Sequence, residues 1–290
     1  HPFQSIKKHR FQILLLLPLA SFLAIFTLTP IIRVIILSFQ SIATTTAAPQ
    51  LTLTHYQDLF TQPAFKQAFL NTLIIAGVSL ALEISLGLIL ALLLSKNLKL
   101  IRFLRPIFIL PLAIPTAVVG VVMSYLFATS GWINRMLTDL NLISSPINWM
   151  QGGINSLFML TLADCWKVTP LVMLILLAGL QSIDKSLYKA ARIDGAGTFH
   201  IFRRITLPLL MPAITAAVII RGIDAFRIFA LPLILMGQNL KVIGTYAYLE
   251  YTEFSNPYAS AASSVILLVM ILLAVALYIK AVGKKGIAVG

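Results

Sequence analysis

Apolar residues along this chain come in long runs, not at the periods of soluble amphipathic helices or half-buried strands. Stretches long enough to cross ~30 Å of hydrocarbon at ~1.5 Å per residue run over Ile13–Ser38, Phe69–Leu94, Ile107–Phe127, Leu157–Leu180, Leu209–Met236 and Ala261–Val282. The first and fifth exceed the length required, which leaves room for tilt. Between them, residues 40–68, 129–155 and 237–260 are rich in Thr, Ser, Asn, Gln, Tyr and Trp, as suits a water-facing surface with aromatic anchors. The remaining connections are basic. The pattern predicts an all-α polytopic membrane protein with about six transmembrane helices, forming one membrane domain over residues 1–290.

Composition agrees. Of the 290 residues 59% are hydrophobic and 11% charged, against about 25% charged in soluble domains, and the mean hydropathy is +0.95. The net charge of +13 would fit a nucleic-acid binder, but its distribution does not. Lys7, Lys8 and Arg10, then Lys96, Lys99, Arg102 and Arg105, then Lys185, Lys189, Arg192, Arg203 and Arg204, and finally Lys280, Lys284 and Lys285 all fall on one side of the six-span map. Only Lys66, Arg135 and Lys241 fall on the other. Positive charge marks the inside, so both termini are expected in the cytoplasm. The apolar run after Lys7-Lys8-His9-Arg10 is too long for a signal peptide and reads as a retained first span.

Catalysis finds little support. The histidines, His1, His9, His55 and His200, lie outside the spans. The single cysteine, Cys165, has no histidine near it in sequence and reads as a small residue packed inside the bundle. Neither a nucleophile–base pair nor a metal site is expected. No phosphate-binding loop is present either.

Ionisable residues at membrane depth cost ~2.5–3.5 kcal/mol each on insertion scales and need an explanation. They are Arg33, Glu83, Asp164, Lys167, Arg221, Asp224 and Arg227. Arg33 lies near a span end, from which it can reach the interface. Asp164–Lys167, Arg221–Asp224 and Asp224–Arg227 are spaced i, i+3, which predicts neutralising pairs along one helix face. Two readings stand: structural ion pairs, or a polar face lining a water-filled path. Glu83 stands alone on its helix and is expected to find a partner on another. Pro111, Pro115, Pro170 and Pro232 are expected to bend the third, fourth and fifth spans.

The connection between spans four and five, residues 181–207, is the most informative segment. Ser182 or Asp184 can cap a short helix through Arg192, and Gly195 can end it in a left-handed conformation. A second helix follows, with Phe199, Phe202 and Ile205 roughly on one face. Small residues at Ala190, Ala191, Gly195, Ala196 and Gly197 suit an elbow that sits close against another surface. The pattern Ala190-Ala191-x-x-Asp194-Gly195-Ala196, followed by Phe202-Arg203-Arg204-Ile205-Thr206-Leu207-Pro208, resembles the EAA loop of ABC importer permeases. Pro111-Leu-Ala-Ile-Pro115, Asp164-Cys-Trp-Lys-Val-Thr-Pro170, Ala178-Gly-Leu-Gln-Ser182 and Asn256-Pro-Tyr-Ala-Ser-Ala261 extend the likeness from Phe11 to Lys284. They resemble the maltose/trehalose/glycerol-3-phosphate branch, and within it the maltose permease F-like subunit.

The resemblance implies a type I ABC importer permease fold and a non-catalytic role. The chain would pair with a second homologous permease, a dimer of ATPase subunits that bind ATP and Mg, and an extracytoplasmic solute-binding protein. It would bind no cofactor itself. Lys189, Ala190, Ala191, Asp194, Gly195, Ala196, Phe202 and Leu207 would couple to the ATPase. Val168, Leu171, Arg221, Asp224, Ala225 and Ile228 would belong to the solute path, with Asp164 and Lys167 beside them. The solute would be a di- or oligosaccharide such as trehalose or maltose; an ion-gradient-driven carrier and a glycerol-3-phosphate importer are the alternatives. Two departures stand out. Lys189 replaces the motif's glutamate, and Phe229-Ala230 and Met236-Gly237-Gln238-Asn239 stand where relatives have a Phe-Asp pair and a Gly-Gly-Gly-Pro turn.

Overall fold

The computed structural model describes residues 10–40, 50–96 and 99–282. The basic Lys7 and Lys8 and the terminal Lys284 and Lys285, used above to orient the chain, lie outside the described residues. Among the described residues the secondary structure is helical, apart from an isolated antiparallel bridge between Gln40 and Leu51. The chain divides into two compact units, residues 1–62 with 247–266, and residues 63–246 with 267–290.

In the first unit, α1 (Arg10–Leu23) passes through a π-helical turn (Ala24–Leu28) into α2 (Thr29–Ser38). The widening falls just before Pro30, which has no N–H to offer the carbonyl four residues back. The apolar residues of Leu14–Ser38 have a mean hydropathy of 2.2 and bury none of their most apolar window within the chain, as befits a surface made for hydrocarbon. Short α3 (Thr54–Thr61) brings Tyr56 to Ser38, its hydroxyl donating to Ser38 Oγ at 2.7 Å. His55 stacks on Tyr258 with ring centroids 5.5 Å apart.

The second unit holds the packed bundle. Its long helices are α4 (Pro63–Leu94), α8 (Gly153–Gln181) and α11 (Leu207–Phe226), which pack on one another. Glycine permits the α4–α8 approach: a Cβ at Gly87 would stand 2.7 Å from Val172 Cγ1 and 3.1 Å from the Met173 nitrogen. Small residues play this part wherever membrane helices come close.

The third predicted span is broken. Helix α5 (Lys99–Ala113) and α6 (Thr116–Leu126) meet at 101° across a break at Pro115. Pro115 is the cap residue before α6, extended at ψ 139°. Having no N–H, Pro115 cannot donate to the ladder of α5, and its ring disfavours helical backbone at Ile114 before it. Outside it, α7 (Trp132–Asp139) and the following loop are organised by buried Asn134. Its amide donates to the carbonyls of Ala128, Thr129 and Ile147, and its oxygen accepts from Ile147 N and Trp149 Nε1. Trp149 is thereby buried against Phe127, 5.4 Å between centroids, instead of anchoring an interface.

Pro170 lies inside α8, which continues without interruption from Gly153 to Gln181. One further expectation is corrected. The fifth span was read as Leu209–Met236; the structure ends the apolar helix at Phe226, breaks at Arg227–Phe229, and starts a separate α12 (Ala230–Met236). Pro232 explains the break. In a continuous helix it would clash with the turn before it. Restarting at Ala230 places it in the first turn, where no N–H is required. Helix α12 packs on α6 and α8. Its exit is tied down: Asn239 Nδ2 donates to Met150 O at 2.9 Å, Asn71 Nδ2 to Lys241 O at 2.8 Å, and Ile243 N to Thr72 Oγ1 at 2.9 Å. The chain continues through α13 (Ile243–Thr252) and α14 (Pro257–Val282).

Two apolar clusters of the second unit are formed by described residues. One gathers Ile75, Leu160, Met123, Leu231 and Leu235. The other gathers Ala91, Val172, Leu176 and Ala217. Glu83 on α4 and Asp164 on α8 lie between the two clusters in sequence position, and Arg221 lies one turn beyond Ala217 on α11.

Candidate functional site

Arg221 is 1% exposed, and each of its three guanidinium nitrogens meets a carboxylate. Nε donates to Glu83 Oε2 at 2.5 Å and Nη2 to Glu83 Oε1 at 3.0 Å. Nη2 also donates to Asp164, and Nη1 to Asp224 Oδ2 at 3.2 Å. One cation thus ties α4, α8 and α11 together. Glu83 has found the partner it was expected to find. Arg221–Asp224 pair as predicted, but Asp164 turns to Arg221, not to Lys167. The reason is reach: Arg221 comes from a facing helix inside the bundle, where a guanidinium fork can meet two carboxylates. Among the described residues, Lys167 and Arg227 form no ion pair.

Beside this knot lies a cavity of about 260 Å³. Thr116 at the start of α6, Asp164, Lys167, Arg221, Asp224 and Arg227 supply its polar lining, and Val168 with the Ile228–Leu231 stretch supplies the rest. It therefore sits where two interrupted helices meet, α6 after its Pro115 break and α12 after the break at Arg227–Phe229. Irregular backbone at membrane depth is tolerated where it lines a cavity. The Asp224 side chain is 66% exposed, so it can still accept hydrogen bonds there. Lys167 and Arg227 bring donors to the lining.

Of the residues expected in a path, Asp164, Lys167, Val168, Arg221, Asp224 and Ile228 line this cavity; Leu171 and Ala225 do not. Ala225 is buried and Leu171 half-buried. Thr116, Arg227 and Phe229 were missed as lining. The signal for Arg227 was present, since it stood among the charges at membrane depth. Thr116 and Phe229 reach the cavity only because the helices break beside them.

On the opposite end of α11, α9 (Lys185–Ile193) has the cap the sequence offered. Asp184 Oδ1 accepts from Ser186 N at 2.8 Å. That hydrogen bond holds the Asp184 carboxyl below the usual carboxylate range. The helix ends in a Schellman turn: Gly195, at φ +76°, donates to Arg192 O at 3.1 Å, and Ala196 N to Ala191 O at 2.9 Å. Lys189, Ala190, Asp194 and Gly195 are exposed, and Ala191, Ala196, Phe202 and Leu207 half-buried. The second helix runs on into the fifth span. α10 (Thr198–Ile201), a π turn (Phe202–Thr206) and α11 form one apolar run, Thr198–Phe226. The π turn again falls just before a proline, Pro208.

The chain is 37% identical over 226 residues to the trehalose/maltose transport system permease protein MalF of Thermococcus litoralis, covering 77% of this chain and 76% of that one. It is 34% identical over 272 residues to the arabinooligosaccharides transport system permease protein AraP of Bacillus subtilis, covering 90% and 84%. Its fold matches a bacterial ABC transporter involved in the import of the acidic polysaccharide alginate, with a TM-score of 0.83 over 97% of each chain at 24% identity. Residues 83–281 match the family model of the binding-protein-dependent transport system inner membrane component. The type I importer fold and the resemblance read from residues 190–208 are borne out, and the chain belongs to the family of binding-protein-dependent transport system inner membrane components.

Proposed function

We propose that this chain is one of two membrane subunits of an ATP-driven importer for a di- or oligosaccharide or related sugar. The observation that carries the proposal is continuity: one helical run, Thr198–Phe226, begins at the exposed elbow after α9 and ends at the polar cavity. A displacement imposed on the elbow is delivered to the cavity by a stiff element.

In this reading α9 and the Gly195 turn dock on an ATPase subunit, which binds ATP and Mg, while this chain performs no catalysis. Lys189, Ala190, Ala191, Asp194, Gly195 and Ala196 form the docking surface, and Phe202 and Leu207 join it to α11. The cavity is this chain's share of a path enclosed with a second permease. An extracytoplasmic binding protein delivers the solute, and both termini face the cytoplasm. Asp224, Lys167, Arg227 and Thr116 offer acceptors and donors to sugar hydroxyls. The sugar names carried by similar chains support a sugar as cargo. Arg221, held by three carboxylates, serves as scaffold. The ion-driven and glycerol-3-phosphate alternatives are not favoured.

The test is the complex of both permeases, ATPase and binding protein reconstituted in liposomes, with wild-type chain or Gly195→Asp. We expect the variant to assemble but to separate hydrolysis from uptake of labelled trehalose or maltose. Unchanged hydrolysis and uptake would refute the docking role. Uptake that ignores ATP and collapses with an ionophore would favour the ion-driven carrier.

A further inference from the structure

Helix α9 carries its charge in one stripe. Lys185, Lys189 and Arg192 fall at i, i+4 and i+7, within about 60° of one another around a helix of 3.6 residues per turn. All are exposed and none makes an ion pair with a described residue. Ile193, 86% exposed, flanks the stripe, and Phe199, 73% exposed, opens the next helix. Between them Gly195 and Gly197 leave open space where a Cβ would stand, so bare backbone is offered to a neighbour.

The surface is also rigid. Asp184 caps its start, the Schellman turn fixes its end, and Thr206 Oγ1 lies 3.3 Å from the Tyr188 hydroxyl, bracing α9 against the helical run that follows. Little ordering is left to be done on binding.

We infer that the surface receiving α9 is acidic: the ATPase subunit of this importer presents carboxylates to Lys189, flanked by Lys185 and Arg192, around an apolar socket for Ile193 and Phe199. The inference rests on the docking reading and goes beyond it, because the glutamate usual at position 189 of this motif demands the opposite charge. Positive charge that merely orients a loop in the membrane needs no common helical face. Lipid headgroups would attract the stripe, but they have no use for a preformed Gly elbow between two bare apolar side chains.

The sign of one charge tests it. ATPase subunit is stripped from proteoliposomes holding both permeases and rebound at increasing NaCl, with wild type, Lys189→Ala, Lys189→Glu and Ile193→Asp. Both sites are exposed, so folding is not at stake. We expect Lys189→Ala to weaken rebinding a few-fold and Lys189→Glu by about tenfold, the differences shrinking as salt rises. Equal or tighter rebinding of Lys189→Glu overturns the acidic surface. So does rebinding that responds to Lys189 only in vesicles containing anionic lipid. Ile193→Asp separates the two levels: if it leaves rebinding unchanged, docking itself is wrong. If it abolishes rebinding while Lys189→Glu has no effect, docking stands and only the acidic surface falls.

Discussion

Arg221 and Glu83, 138 residues apart, meet through paired hydrogen bonds, Nε to Oε2 at 2.5 Å and Nη2 to Oε1 at 3.0 Å. Both are essentially inaccessible. Removing one member of such a set leaves the others buried without compensation, at about 3–5 kcal/mol. Glu83→Ala is expected to cost this much, and Arg221→Met more, since it leaves Glu83 and Asp164 facing each other. Replacing all three by apolar residues is expected to recover most of the loss. Thermal unfolding of the detergent-solubilised chain measures each. A Glu83→Ala variant as stable as wild type would show that the fork does not hold the helices.

Gly87 offers a second test, of packing alone. Its missing Cβ is the condition for the approach of Val172, a stiff β-branched side chain, and of the backbone beyond it. Gly87→Ala is expected to destabilise by about 1–3 kcal/mol. Gly77, on the same helix with nothing within 4 Å of its Cβ position, is the control. Gly77→Ala is expected to be neutral or to stabilise by up to about 1 kcal/mol. Equal melting temperatures for the two variants would contradict the close contact.

The cavity makes a prediction about transport separable from stability. Lys167 and Arg227 have no ionic partner to lose, and Asp224 shares only one guanidinium nitrogen of Arg221. Lys167→Ala and Asp224→Ala are therefore expected to lower sugar uptake by about tenfold while shifting stability by less than ~1 kcal/mol. Arg221→Lys is expected to act in reverse, reducing folded protein first, because an ammonium cannot replace the fork. If the cavity variants transport normally, the path lies elsewhere.

Asp184 gives the pH dependence. Its folded carboxyl titrates below the usual range because the Ser186 N–H binds the ionised form. A depressed folded value stabilises α9 above the ordinary carboxylate pKa, and the stabilisation is lost as pH falls through the folded value. Amide exchange across Lys185–Ile193 is expected to accelerate, beyond its intrinsic pH trend, on acidification from ~pH 6 to ~pH 3. Asp184→Asn, which keeps the cap without the charge, is expected to remove that excess.

Much of this was legible in the chain because local rules decide it. Long apolar runs gave the spans, and Asp184 and Gly195 marked both ends of α9 through capping chemistry that needs no distant partner. The solitary charge at Glu83 demanded a partner on another helix, though not which one. What was not legible depended on distant contact. The i, i+3 spacing paired Asp164 with Lys167, and only the packing of α11 against α8 brings Arg221 to Asp164 instead. Pro170 and Pro232 look alike in sequence, yet α8 absorbs the first while the chain breaks before the second. Thr116 and Phe229 became cavity residues for the same reason.

The knot at Arg221 also sets an order of assembly. Synthesis delivers Glu83 with α4 and Asp164 with α8, and both are in the chain well before Arg221 emerges. Until then the nascent protein carries two acidic side chains at membrane depth with their cation still to come. The first four spans can enter the bilayer and pack, with α4 already close against α8 at Gly87, but the carboxylates of Glu83 and Asp164 have no cation to neutralise them. The fifth span is then a clasp, closing on helices already present. Chains stalled short of residue 221 should stay more protease-sensitive than chains released just beyond it.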